Sequence, residues 1–341
     1  MTRLASVPVV GLSLALALGG CTRAPRRVPE VPWADSSSHR VSFVTVSPGV
    51  RLEVLDWGGQ GAPLVFLSGL QDVAHGFDDF APQFTDHFHV LAITRRGYGA
   101  SSQPATGYDL ATRVADLRAV LDSLKLDAVI LVGHSIAGDE LTAFAGTYPA
   151  RVTKLVYLDA AYDHAGIDRI LAGYPAPPPP TASDSSSPGA LQVYLAATYG
   201  MFIPQAQIRA TEVFGPGGKL LRNVTPDSID AAMLRGTGHP RYAAVRAPAL
   251  AFYALPDSAP VFFRYWGGMS DSARAAARAW LRKAAAWEDG ERSRFQRGVR
   301  HARVVLLPGA NHYVFSSNEK EVAADMRSFL EEGGGSTSAR R

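Results

Sequence analysis

Val129-Ile130-Leu131-Val132-Gly133-His134-Ser135-Ile136-Ala137-Gly138 is the stretch on which the reading of this chain turns. Its first four residues are β-branched or leucine, the pattern of a strand buried on both faces. The small residues that follow permit an abrupt reversal into a helix, with Ser135 at the apex. A serine hydroxyl is a weak nucleophile until a base takes its proton. A tight strand-to-helix turn helps by lifting Oγ clear of the backbone, where a histidine can reach it. Gly133 and Ala137 must be small, because larger side chains would collide across the turn.

This pattern resembles the nucleophile elbow, G-x-S-x-G, of the α/β-hydrolase superfamily, with Ala137 in place of the last glycine. Its weight comes from the surroundings. Pro63 to Leu67 reads as another buried strand, followed at once by Ser68-Gly69-Leu70-Gln71-Asp72. In the superfamily the loop after that strand usually reads His-Gly and supplies half of an oxyanion hole. Here Ser68 replaces the histidine and Gly69 remains. Backbone amides do the electrostatic work, and the resemblance implies Leu70 N–H and Ile136 N–H as the two donors. His89 to Thr94 is a further strand, and the loop Arg95-Arg96-Gly97-Tyr98-Gly99-Ala100-Ser101-Ser102 resembles the superfamily's Arg-Gly-x-Gly-x-Ser loop, whose role is chiefly structural.

Working outward, Val41 to Trp57 alternates and is broken at Ser47-Pro48-Gly49, which predicts a β-hairpin. Leu110, Val114, Leu117, Leu121 and Leu124 form one apolar helical stripe, with Arg113, Asp116, Arg118 and Asp122 expected to face outward. A helix from Asp139 to Tyr148 follows the elbow, and Lys154 to Asp159 is a strand with a carboxylate at its end. Strands alternating with helices imply right-handed crossovers and a parallel sheet covered on both faces. From residue 161 to 245 the rhythm breaks around Pro175 to Gly189. Short helices are predicted near Leu191 to Met201 and from Thr225. The resemblance makes this interval a helical lid. Tyr194, Tyr199, Met201, Phe202 and Phe214 make it apolar, either to suit a hydrophobic substrate or as a lid core packed on itself. Strands at 248–254 and 302–307, a helix at Ser272 to Trp287 and a closing helix at Glu319 to Glu332 complete the pattern. The expected fold is thus α/β, a mostly parallel central sheet with helices on both faces, its core formed by 41–160 and 246–332.

His312 lies in Pro308-Gly309-Ala310-Asn311-His312, between the last strand and the last helix. The resemblance puts the catalytic histidine in that loop, in the chain order serine, acid, histidine. Two aspartates end strands on the edge where active sites of open α/β sheets lie. Asp257 stands where most members carry the acid, and Asp159 ends the preceding strand, a position that some members use. Either would orient the imidazole and stabilise its charged form.

The chain has 341 residues, 47% of them hydrophobic, and a net charge of +3 with both signs interspersed, so no basic patch argues for nucleic acid. The one cysteine, Cys21, excludes a disulfide framework or a cysteine metal site within one chain. Residues 1–20 match a secretory signal, and Leu18-Gly19-Gly20-Cys21 resembles a bacterial lipobox, with Cys21 as the lipidated residue. Residues 21–40 then read as a flexible tether and 333–341 as a disordered tail. His87 and His89 would share a strand face, but without a nearby carboxylate cluster they read as surface positions rather than metal ligands. The expectation is an exported hydrolase of the cell envelope, lipid-anchored or else periplasmic or secreted. It would act on small hydrophobic esters through an acyl-enzyme, with no metal or cofactor. The same residues could cleave activated C–C bonds or an N-terminal peptide bond, and a non-catalytic envelope lipoprotein is the rival of another class.

Overall fold

In the computed structural model, which describes residues 33–255 and 258–332, the strand predicted at 129–132 lies inside an eight-stranded sheet. Residues 1–20, Cys21, Asp257 and the segment 333–341 lie outside the described residues. In chain order the elements are β1 (Arg40–Ser47), β2 (Val50–Gly58), β3 (Ala62–Leu67), β4 (Phe88–Thr94), α1 (Leu110–Ser123), β5 (Val129–His134), α2 (Ala137–Thr147) and β6 (Val152–Leu158). The chain then forms α3 (Asp168–Leu171), α4 (Pro188–Tyr199), α5 (Gln205–Thr211), β7 (Glu212–Phe214), β8 (Leu220–Asn223) and α6 (Asp227–Arg235). It closes with β9 (Ala249–Leu255), α7 (Ala259–Phe262), α8 (Asp271–Gly298), β10 (Ala302–Pro308), α9 (Val314–Ser317) and α10 (Glu319–Glu331).

The strand order is β1-β2-β4-β3-β5-β6-β9-β10. β1, β2 and β4 pair antiparallel and every other pairing in this sheet is parallel, while β7 and β8 form a separate antiparallel pair. Successive strand residues point to opposite faces, so a doubly covered strand must be apolar throughout. Leu131, Leu155, Tyr157 and Ala251 accordingly pack with α1, α2 and Phe295 of α8 on one side. Ile130, Val132, Val156 and Phe252 pack with α9, α10 and the turns around Phe77, Phe80 and Phe84 on the other. Phe66 is fully buried among those three phenylalanines. Each such aromatic contributes about 1.5–3 kcal/mol by leaving water.

The stripe on α1 forms as predicted, but two of its expected outward residues are buried. Arg113 is 2% exposed and Asp116 6%. Asp116 receives both Arg96 Nε and Nη2 at 2.5 Å, and Arg113 Nη1 lies 2.9 Å from Glu140 Oε1. Charged side chains go inside when each has an opposite charge to meet, and periodicity alone cannot reveal the partner.

Between β6 and β9 the chain leaves the sheet and builds a separate apolar cluster. Tyr194, Tyr199, Met201 and Phe214 pack there with Leu191, Ile203 and Ile208, whereas Phe202 is 56% exposed. Most of the apolar residues in this insertion therefore form its own core. Gln207 and Asp230 fasten it to the sheet edge, through Asp72 at 2.5 Å and Gln71 at 2.6 Å. No helix among the described residues is long and apolar enough to cross a membrane.

Candidate active site

β5 ends at His134 and α2 begins at Ala137, so Ser135 and Ile136 make the reversal, Ser135 with φ of +54°. That left-handed conformation is costly for a residue with a Cβ and persists only where the surroundings enforce it. Here Ser135 N–H donates to Leu158 O at 3.3 Å, and its carbonyl accepts from Gly138 N–H at 2.9 Å. A Cβ on Gly133 would lie 2.7 Å from Leu141 Cδ1 and 3.1 Å from Ala137 Cβ, which is why both positions are small. Ser135 is partly exposed between buried neighbours.

Asp159, directly after β6, repeats the device. Its φ is +48°, and its N–H donates to Phe252 O at 3.0 Å. The carboxylate is held on three sides. Oδ1 accepts from Ala254 N–H at 3.0 Å and from Tyr162 O–H at 2.5 Å, and Oδ2 meets His312 Nδ1 at 2.7 Å. The structure thus joins His312 to Asp159, one of the two aspartates offered by the sequence; the other, Asp257, is not among the described residues.

A carboxylate at Nδ1 fixes the tautomer that leaves Nε2 free to accept a proton. Burial pulls the His312 pKa down, but the hydrogen bond and charge of Asp159, with Asp72 adding, outweigh it and raise the value above that of an ordinary imidazole. The ring remains 47% exposed. Ser135 Oγ makes no hydrogen bond among the described residues, and the serine and histidine are linked instead through His134. The His134 ring lies 4.6 Å from that of His312, and its Nε2–H donates to the His312 carbonyl at 3.0 Å. Hydrogen bonds between nucleophile and base are commonly long before substrate binds. Burial holds the His134 pKa below normal, so this ring is neutral and serves as a strut.

The candidate oxyanion turn is braced from beneath. Neither Leu70 N–H nor Ile136 N–H donates within the described residues, which leaves both amides available at the site. A Cβ on Gly69 would lie 2.8 Å from Asp72 Oδ2 and 2.9 Å from His134 Nδ1, so the turn can approach the elbow this closely only with glycine there. Arg95, 6% exposed, donates to the carbonyls of Ser68 at 2.8 Å and Gly69 at 3.0 Å while its Nε meets Glu140 Oε1 at 2.7 Å. One guanidinium therefore ties the oxyanion turn to the helix behind Ser135. The sequence carried a trace of this in the Arg95-Arg96 and Asp139-Glu140 doublets, yet which charges pair is decided only in three dimensions. Arg95→Met should cost about 2–4 kcal/mol by stranding two buried carbonyls and leaving Glu140 with Arg113 as its one buried cation. Urea unfolding checks this, and a loss below about 1 kcal/mol with unchanged turnover would refute the bracing role.

The sheet order, the elbow and the insertion after β6 define a protein with the α/β-hydrolase fold. Residues 62–211 match a family model described as alpha/beta hydrolase fold. The chain is 38% identical over 120 residues to a non-heme chloroperoxidase of Streptomyces lividans, covering 34% of this chain and 44% of that protein. It is 33% identical over 129 residues to a bifunctional esterase/perhydrolase of Acinetobacter calcoaceticus, covering 35% and 45%. The chain thus spans less than half the length of these curated relatives. A crystal structure of E-2-(acetamidomethylene)succinate hydrolase superposes with a TM-score of 0.61 at 22% identity, covering 86% of this chain and 99% of that one.

Proposed function

We propose that this chain is a serine hydrolase that cleaves carboxylic esters through an acyl-enzyme. Ser135 Oγ attacks the ester carbonyl while His312 Nε2 takes its proton. The amides of Leu70 and Ile136 stabilise the oxyanion, and His312 returns the proton to the departing alkoxide. Water, deprotonated by the same imidazole, then releases the acid and restores Ser135. Asp159 keeps the imidazole in the productive tautomer and stabilises its charged form. The observation that carries this reading is the 2.7 Å pair between Asp159 and His312, whose ring lies 4.6 Å from that of His134, the residue next to the left-handed Ser135. Export and lipidation at Cys21 are proposed on the sequence of the first 21 residues alone, and the hydrophobic preference on Phe202, the one of Tyr194, Tyr199, Met201, Phe202 and Phe214 that the insertion leaves exposed.

A fluorophosphonate probe should label one residue, Ser135, located by peptide mass spectrometry, and a graded series of acyl esters should show turnover that stops when the label is on. Failure to label would favour the non-catalytic binding module, and labelling that persists in Ser135→Ala would move the nucleophile to another residue. Turnover confined to activated C–C substrates would retain the nucleophile and overturn the ester assignment.

A further inference from the structure

Beside the short helical turn at Ala74–Phe77, two chain segments far apart in sequence bring four ligating side chains together. Asp35 and His39 come from the strap before β1, and His75 and Asp78 from the turn itself. One nitrogen or oxygen from each lies within 4.8 Å of all the others. His75 Nδ1 is 2.9 Å from Asp78 Oδ2 and 3.4 Å from Asp35 Oδ2. His39 Nδ1 is 3.1 Å from Asp78 Oδ1, and its Nε2 is 3.7 Å from Asp35 Oδ2.

Two of these atoms are orphans. His39 Nδ1 and Asp78 Oδ1 are buried without a hydrogen-bond partner, their side chains each 4% exposed, and their close approach lacks hydrogen-bond alignment. Buried polar atoms are almost always satisfied, so an unsatisfied pair facing each other inside a His/Asp cluster points to a ligand between them. Tetrahedral zinc with bonds of about 2.0–2.2 Å sets neighbouring donors about 3.4 Å apart, and one atom from each of the four side chains already lies within 4.8 Å of the others. The donor set, imidazole nitrogen with carboxylate oxygen and no sulfur, suits zinc rather than calcium or magnesium, which prefer all-oxygen shells.

We propose that Asp35, His39, His75 and Asp78 form a closed structural site for one zinc-class divalent cation. Bound there, the cation joins the strap before β1 to the turn that follows the candidate oxyanion loop. Trp57 supports the strap from its other side, its indole N–H donating to Ser37 Oγ at 2.9 Å and its ring standing edge-on to His39. Asp35, 27% exposed, is the open side for entry. The adjacent pair His87 and His89 caught the eye in the sequence, but His89 is engaged with Asp56 at 3.0 Å.

The test uses the chain purified without a histidine tag, stripped with a chelator and titrated with zinc chloride. Elemental analysis should find one zinc per chain, and cobalt substitution should give the visible bands of a tetrahedral Co2+ ion. Tm should rise by about 5 °C at a hundredfold excess over Kd. His39→Ala with His75→Ala should abolish all three responses, and Asp35→Asn, at the exposed edge, should keep the fold and weaken zinc affinity about tenfold or more. Absence of saturable uptake by the unmodified chain, or uptake unchanged in Asp35→Asn, would overturn the site. Neither result bears on Ser135, because the four ligands lie outside the reacting groups.

Discussion

On the proposed mechanism, Ser135→Ala should lower kcat on an ester substrate by about 10^4- to 10^6-fold and leave the folded state almost untouched. The size follows from the role: with the nucleophile gone, only oxyanion binding and substrate positioning remain, as in other serine hydrolytic triads. The stability expectation follows from the backbone. Alanine carries a Cβ just as serine does, so the strain at φ +54° is unchanged, and Oγ gives up no hydrogen bond among the described residues. Tm within about 1 °C of the parent is therefore expected. Hydrolysis of a chromogenic ester read beside a thermal melt checks both halves. A variant that keeps more than a tenth of the parent rate would remove Ser135 from the mechanism.

Asp159→Asn is the second large effect, a loss of about 10^4-fold in kcat, because an amide can offer its NH2 to Nδ1 and turn the imidazole to the wrong tautomer. The pH profile supplies an independent reading. As the proposed base, His312 would act only when neutral, and Asp159 raises its pKa, so the acid limb of kcat/KM should have its midpoint above the ordinary imidazole value. In Asp159→Asn that midpoint should fall. The linkage to stability has the same sign. A raised folded-state pKa means that protonated His312 contributes stability below its unfolded pKa, and this contribution is lost as pH rises through the folded value. An acid limb that does not move in the variant would leave Asp159 as a structural residue only.

Much of this arrangement is legible in the chain because it depends on short, local necessities. Four apolar residues before a small-residue turn name the strand and the elbow, and the 4-3-4-3 spacing of Leu110 to Leu124 names α1. What escaped were the pairings between distant elements. Arg113 and Asp116 occupy helix positions that look solvated, and only Glu140 and Arg96 explain their burial. The helix predicted to end at Trp287 runs on to Gly298, because Glu291 and Phe295 find buried places against the sheet. The choice between two strand-end aspartates could not be made from one dimension. What supports Asp159 is its backbone angle and three bonds to its carboxylate, from Ala254, Tyr162 and His312, while Asp257 lies outside the described residues. Likewise no spacing rule unites Asp35 with Asp78.

Ser135 and Asp159 are both non-glycine residues in a conformation that glycine would accept without penalty, at the ends of neighbouring strands joined by a Ser135-to-Leu158 hydrogen bond. Glycine at either position would relax the backbone while, on the proposed mechanism, silencing the chemistry. A directed-evolution campaign that ranked variants by heat tolerance alone would therefore be drawn toward inert proteins. Any selection for robustness in this molecule has to carry a turnover filter alongside it.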